Sequence, residues 1–347
     1  MTGLVLNVDA APWRHHLQQT AETTAGLVPV AKGNGYGFGL GRLATEAADL
    51  GVATIAVGTA GEVAAVRDRF DGEIVVLQPW RPGDAVAEEL LDDPRVITTV
   101  SRTEDLAAVA ERGAGPVLVE VLTSMKRHGL TPAEVAAIAP LLDRVDFRGW
   151  TIHLPLLETG RYAEALEHAG RVRGVRPAPL WFSHLPWPEA TAIAKEVGAD
   201  ESDVRLRMGT QLWLGAPETL HPTATVIDVH KVSKGERVGY RHRKASANGW
   251  VVVLAGGTAH GLAMEAPSSV SSMRQRAITA ATGALATFGR AMSPYTLDGA
   301  KRWFVEPPHM QSSLVFLPAS ATPPAVGDRV PVELRLTTVT VDEVALN

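Results

Sequence analysis

The chain of 347 residues contains no cysteine. Disulfides, thiolate metal sites and a cysteine nucleophile are therefore excluded, although the redox compartment is left open. Long apolar runs are also missing, and none approaches the roughly 20 residues a membrane-spanning helix requires. The first residues, MTGLVLNVDA, lack the basic start and apolar core of a secretory signal. A cytoplasmic location with no membrane partner is expected. The formal net charge is only -5, which gives no reason to expect nucleic acid or an anionic membrane as partner. Histidines and carboxylates occur near one another at His15 with His16 and at Glu120 with His128, but no spacing repeats a recognisable metal site, so no metal is expected. These exclusions favour a small-molecule substrate.

What is present is a globular composition, 46% hydrophobic and 20% charged, with 32 Gly and 23 Pro scattered as turn punctuation. The length suits one large core plus a smaller domain. From residue 28 to about 209, short β-branched runs alternate with Ala- and Glu-rich segments of helical period. Eight strands are expected: VPVAK (28–32), TIAVGT (54–59), EIVVLQP (73–79), VITTV (96–100), PVLVEVL (116–122), FRGWTIHLP (147–155), PLWFSHLP (179–186) and VRLRMG (204–209). Segments between them, such as TEDLAAVAERG and TPAEVAAIAPLL, open on a Thr able to cap a helix. The pattern predicts an α/β fold, a (β/α)8 barrel over 1–222 with a doubly wound open sheet as the alternative, and a C-terminal mainly β domain over 223–347. Short runs such as TVIDVHKVS, GWVVVLAGG, SLVFLP and GDRVPVELRLTTVTV mark the second domain, with one Ala-rich helical stretch near 275–290.

In such barrels chemistry sits at the carboxyl ends of the strands. Polar outliers collect there: Lys32, Arg127, His153, Ser183 with His184, and Arg207. A lysine in that position loses water around its ammonium and becomes a better nucleophile toward an aldehyde. The glycines of VAKGNGYGFG allow close backbone approach to a bulky group.

This last segment closely resembles the Lys-x-x-x-Tyr-Gly signature of the alanine racemases and related fold-type III pyridoxal-phosphate enzymes, with Lys32, Tyr36 and Gly37 on the matching positions. The resemblance implies pyridoxal 5'-phosphate held as a Schiff base on Lys32 and its phosphate bonded by Tyr36. EVLTSMKRHG resembles a second family segment and places Arg127 where an arginine meets the cofactor's phenolic oxygen and the substrate carboxylate. The family lysine there is Glu120, and Leu122 and Ser124 also depart from the pattern. RLRMGTQLWLG is similar to a third segment, which implies Arg207 facing the pyridine nitrogen and Gly209 and Thr210 offering amides to the phosphate. A guanidinium cannot give up its proton, so the ring nitrogen stays unprotonated and proton transfer is favoured over side reactions. His153 would orient Arg207. Ser183, or His184 one residue on, is the phosphate ligand from strand seven.

In the second domain, VVVLAGGTAHG resembles the loop that carries the family's catalytic tyrosine, but Thr258 stands in the tyrosine's place and His260 in that of an aspartate. Only four tyrosines exist, and Tyr240 matches a different position. Inverting a carbon needs one group to take a proton and another to deliver one on the opposite face. Lys32 would be the first; His260 is the expected substitute for the second, and His309 is a spare. EPPHMQSS implies that the backbone of Met310 meets the substrate carboxylate. The family pattern implies a homodimer. The chain as read ends at Asn347, short of a terminal stretch with another phosphate-binding tyrosine, so lighter phosphate anchoring is expected. The function implied is an amino-acid racemase or epimerase acting on alanine, on a related amino acid, or on one attached to a larger wall precursor or metabolite. Two alternatives stay open: one-base pyridoxal-phosphate chemistry, such as decarboxylation, aldol cleavage or elimination, and a non-catalytic cofactor-binding protein. Substrate specificity is expected around Thr258 and in the stretch from Ala266 to Trp303.

Overall fold

The structure, a computed structural model, describes residues 3–113, 115–156, 159–263 and 291–347. The chain divides into two compact units, Arg14–Gly215 and Met1–Trp13 with Ala216–Asn347. The sequence groups the opening residues with the barrel; the structure instead pairs the first strand, β1 (Leu4–Val8), with residues 220–224. No helix among the described residues is long and apolar enough to cross a membrane.

The larger unit holds β2 (Leu27–Pro29), β3 (Thr54–Val57), β4 (Glu73–Val76), β5 (Val96–Val100), β6 (Pro116–Val121), β7 (Asp146–His153), β8 (Leu180–Ser183) and β9 (Val204–Met208). Each lies at one of the eight expected runs. All neighbours pair in parallel, in the order β2-β9-β8-β7-β6-β5-β4-β3. A parallel bridge between Val30 and Ala56, with the Ala31 amide donating to the Ala56 carbonyl at 2.8 Å, joins the two ends and closes the (β/α)8 barrel.

Side chains alternate in and out along each strand. Val28, Val30, Ala56, Val75, Ile97, Leu118 and Trp181 point inward and plug the barrel. The opposite faces pack on the helices, where Val119, Trp150, Ile152, Phe182 and Leu206 lie in a larger buried cluster. Burial of each such side chain contributes about 1.5–3 kcal/mol. Thr131 caps its helix as the sequence suggests, accepting from the Glu134 amide at 3.4 Å while Glu134 accepts from the Thr131 amide at 2.7 Å. Thr103 does not cap: Arg102 holds the cap position, and Thr103 is the first helical residue.

The second unit carries β10 (Leu220–Val232), β11 (Arg237–Val238), β12 (Arg243–Lys244), β13 (Gly249–Ala255), β14 (Met292–Leu297), β15 (Ala300–Trp303), β16 (Ser312–Pro318), β17 (Arg329–Pro331) and β18 (Glu343–Leu346). Its main sheet runs β16-β13-β10-β1-β18, with β17 also on β10. Leu4, Val226, Leu254, Tyr295, Val315 and Leu317 form its core. The stretch GDRVPVELRLTTVTV is strand only at its start. Amides of Thr338 and Val339 fold back onto the Arg335 carbonyl, and that turn ends the extended run. The helix expected near 275–290 falls outside the described residues.

Candidate active site

The plug of the barrel determines what stands at its mouth. Two residues beyond Val30, Leu118 and Trp181 come Lys32, Glu120 and Ser183, which the pleat turns to the same inner side. The strand register aligns His153 with Ser183 and Ser183 with Arg207 across β7, β8 and β9. Thus Lys32, Glu120, His153, Ser183 and Arg207 gather at the carboxyl ends of the strands, where the sequence predicts all of them but Glu120.

Arg207 is buried, and its guanidinium is pushed down to about 10 by loss of water; Glu120 opposes that shift, and Arg127 adds to it. Its Nε and Nη2 have no hydrogen-bond partner among the described residues, nor does the buried Oγ of Ser183. An unsatisfied buried polar group costs about 1–3 kcal/mol, and more when charged. These donors fit a ligand rich in acceptors.

Solvent still reaches Lys32, yet packing around it strips water from the amine, and Arg127 and Arg207 repel a further positive charge. Together they hold the amine below the ordinary lysine range, while Glu62 pulls the other way. Glu62 was not singled out in the sequence. Its carboxylate accepts from the amides of Gly33 at 2.9 Å and Gly58 at 2.7 Å, tying the loop after β2 to the end of β3. The run from Thr59 to Glu62, a capping-box spacing, was the signal.

Tyr36 is buried in a left-handed backbone conformation, φ 55°, with its amide donating to Asn34 Oδ1 at 3.1 Å. Burial pushes its phenol up to about 12, so it stays protonated and can donate. A Cβ on Gly209 would stand 2.1 Å from that hydroxyl, which explains the glycine before the short helix Thr210–Trp213.

Glu120 lies 3.8 Å from Arg127 Nη2. Burial raises its carboxyl, against the opposing pull of Arg207, Arg127 and Arg81. His153 is pushed down to about 2 by burial, then by Arg207, Arg127, His184 and Lys32, so its imidazole is neutral. Its ring meets that of His184 edge to face, centroids 5.1 Å apart. His184 adopts φ 62°, unusual for a residue with a side chain, and Arg161 Nη1 holds its carbonyl at 2.7 Å.

In the β unit, Thr258, His260 and Met310 are brought together. The Thr258 amide donates to the His309 carbonyl at 2.8 Å, and the Ala259 amide to that of Met310 at 3.0 Å. Both ring nitrogens of His260 are engaged: Nδ1 accepts from the Gly257 amide at 3.3 Å, and Nε2 faces Asp342 at 3.1 Å. His260 thus closes a loop. His309 differs: among the described residues its Nε2 alone is bound, 2.7 Å from buried Glu306.

Residues 8–176 match the family model of the alanine racemase N-terminal domain. The alanine racemase of Mycobacterium tuberculosis is 32% identical over 268 residues, 68% of this chain and 67% of that protein. The chain belongs to the alanine racemase family. Among solved structures, alanine racemase from Bartonella henselae with covalently bound pyridoxal phosphate superposes with a TM-score of 0.73 at 17% identity, covering 98% of each chain. Histidine racemase from Leuconostoc mesenteroides gives 0.64 at 19%, covering 95% of this chain and 88% of that one.

Glu120 puts a carboxylate beside Arg127. The Thr258 hydroxyl lies 3.5 Å from the His309 carbonyl. Of the four tyrosines, Tyr295 is buried in the core of the β unit, where its hydroxyl bonds the carbonyls of Ala255 and Gly256 at 3.0 Å.

Proposed function

We propose that this chain is a pyridoxal-phosphate-dependent racemase or epimerase of an amino acid, alanine or a relative of it, working as a cytoplasmic homodimer. The observation that carries the reading is the row of donors with no partner among the described residues, Arg207 Nε and Nη2 and Ser183 Oγ, at the same barrel mouth as a lysine whose amine is held below its usual range.

Lys32 would hold the cofactor through its amine. Tyr36, Ser183 and the amides of Gly209 and Thr210 suit the phosphate, Arg207 the ring nitrogen, and Arg127 the phenolic oxygen and the substrate carboxylate. Neutral His153 would keep Arg207 in place. When bound, pyridoxal phosphate acidifies the α-proton of an attached amino acid. The amine of Lys32, held below its usual range, would take or return that proton on one face. The amide of Met310 would bind the carboxylate. Thr258 occupies the tyrosine's place without a phenol's acidity, and His260, engaged at both nitrogens, is a poor second base.

The test is α-proton exchange in deuterated water with L- and D-amino acids in turn. Exchange accompanied by interconversion supports the proposal. Product loss without interconversion would point to one-base chemistry, which the loss of the tyrosine leaves open. Neither exchange nor product loss, with cofactor bound, would leave a binding protein.

A further inference from the structure

In the proposed reaction Arg127 binds the substrate carboxylate, yet among the described residues its guanidinium makes no hydrogen bond. Its one ion pair there, with Glu120, is 3.8 Å long. The direction of Arg127 is therefore set by the backbone that carries it. That backbone is the loop 122–130, whose base is closed by the Leu122 amide on the Leu130 carbonyl at 2.9 Å and the Leu130 amide on the Glu120 carbonyl at 2.8 Å. Inside the loop, the Lys126 amide donates to the Thr123 carbonyl at 3.0 Å, and Lys126 takes φ 54° immediately before Arg127. A residue with a side chain is strained in that conformation, and such a turn persists only where its surroundings hold it.

Two side chains do so. Thr123 donates its hydroxyl to the His153 carbonyl at 2.7 Å. Glu164 takes the next residue with both oxygens: Oε1 accepts from the Ser124 amide at 2.6 Å, and Oε2 from the Ser124 hydroxyl at 2.9 Å. Hydrogen bonds to an ionised carboxylate are among the strong ones. Glu164 stands in the first turn of the helix Arg161–Val175, where the helix dipole favours its charge, and 19% of its side chain is exposed. Three positions earlier, Arg161 reaches the other way and donates to the His184 carbonyl at 2.7 Å. One helical turn thus holds a loop on each side of β7, Glu164 the loop that bears Arg127 and Arg161 the loop that bears His184. Glu167, one turn on, is spent on Arg171 of the same helix.

We propose that Glu164 is a positioning residue for Arg127: by fixing Ser124 it aims the guanidinium at the substrate carboxylate, and so sets how tightly the amino acid is held. This rests on the racemase-like reading above, in which Arg127 binds that carboxylate. Glu164 acts through the loop and not on the reacting atoms. Arg161 is its comparison on the same helix, acting on the end of β8 that faces the phosphate in that reading.

Two measurements on the full chain test the proposal. In cofactor-free protein, amide hydrogen exchange over residues 122–130 should be about tenfold or more faster in Glu164→Ala than in wild type. Glu164→Gln, whose amide oxygen still accepts from Ser124, should recover most of that protection. In protein loaded with pyridoxal phosphate and given the amino acid that exchanges fastest, Glu164→Ala should raise KM about tenfold, while kcat stays within about threefold of wild type. Ser124→Ala should raise KM less and add little to Glu164→Ala, as expected of two residues that share one contact. Arg161→Ala should weaken cofactor binding and leave KM at saturating cofactor near the wild-type value.

Unchanged loop exchange in Glu164→Ala would overturn the proposal whatever the enzyme does. So would a KM within about twofold of wild type, or a fall in kcat at constant KM. A like rise in KM from Arg161→Ala would overturn it too, since general loosening of the helix would then account for both. Absence of a Lys32-dependent absorbance band in the wild type is a separate readout, and it would overturn the underlying reading together with this proposal.

Discussion

Gly209 and Tyr36 are fitted to one another: a single added carbon at Gly209 would come within 2.1 Å of the Tyr36 hydroxyl. Gly209→Ala should therefore displace the phenol. The expected cost is about 1–3 kcal/mol of stability, as for other overpacked sites, with a fall in pyridoxal-phosphate affinity of about tenfold or more. Thermal melting and cofactor titration measure the two effects. A variant with wild-type affinity would show that Tyr36 does not serve the phosphate.

Ser183→Ala should separate stability from binding. The Oγ is buried without a partner among the described residues. Its removal should leave the cofactor-free protein as stable as before, or more stable by up to about 1 kcal/mol. Cofactor affinity should fall about tenfold, since a hydrogen bond to a charged group is lost. Equal affinity in variant and wild type would move the phosphate role to His184.

His153 gives a pH dependence with a definite sign. In the fold it titrates near 2, whereas the unfolded chain takes up this proton near 6.5. Between those values the unfolded state binds more protons, so stability rises with pH across the window and is lost on acidification. Urea melts of cofactor-free protein at pH 7 and pH 5 should show a smaller loss for His153→Gln than for wild type. Equal losses would mean that the imidazole is not held neutral.

His260→Ala should weaken the β unit, because two hydrogen bonds that close its loop disappear. A loss of about 1–3 kcal/mol is expected, visible as faster amide exchange around Gly257. Added imidazole should restore no rate to this variant. Rescue of His260→Ala would make His260 the second base after all.

The barrel and the positions of its polar residues were legible because both follow from local rules. Period-two alternation marks the strands, and the same parity carries Lys32, Glu120 and Ser183 to the inner face. The pairing of Leu4–Val8 with residues 220–224 was not legible, because partners more than 200 residues apart leave no local trace. The engagement of His260 was hidden for the same reason, since its partner Asp342 lies far along the chain. The positive φ of His184 is imposed by its surroundings, where Arg161 grips the carbonyl. The pairing of Glu306 with His309 is only three residues apart, but the two amides that bind Glu306 come from Tyr240 and Arg241. That contact had to be seen in space.

The central claim is that Lys32 carries the cofactor. Borohydride reduction of the protein incubated with pyridoxal phosphate, followed by peptide mass spectrometry, tests it most directly. The account predicts a single pyridoxyl group on Lys32, and loss of both the adduct and the visible absorbance band in Lys32→Ala. An adduct on another lysine, or none at all, would contradict it.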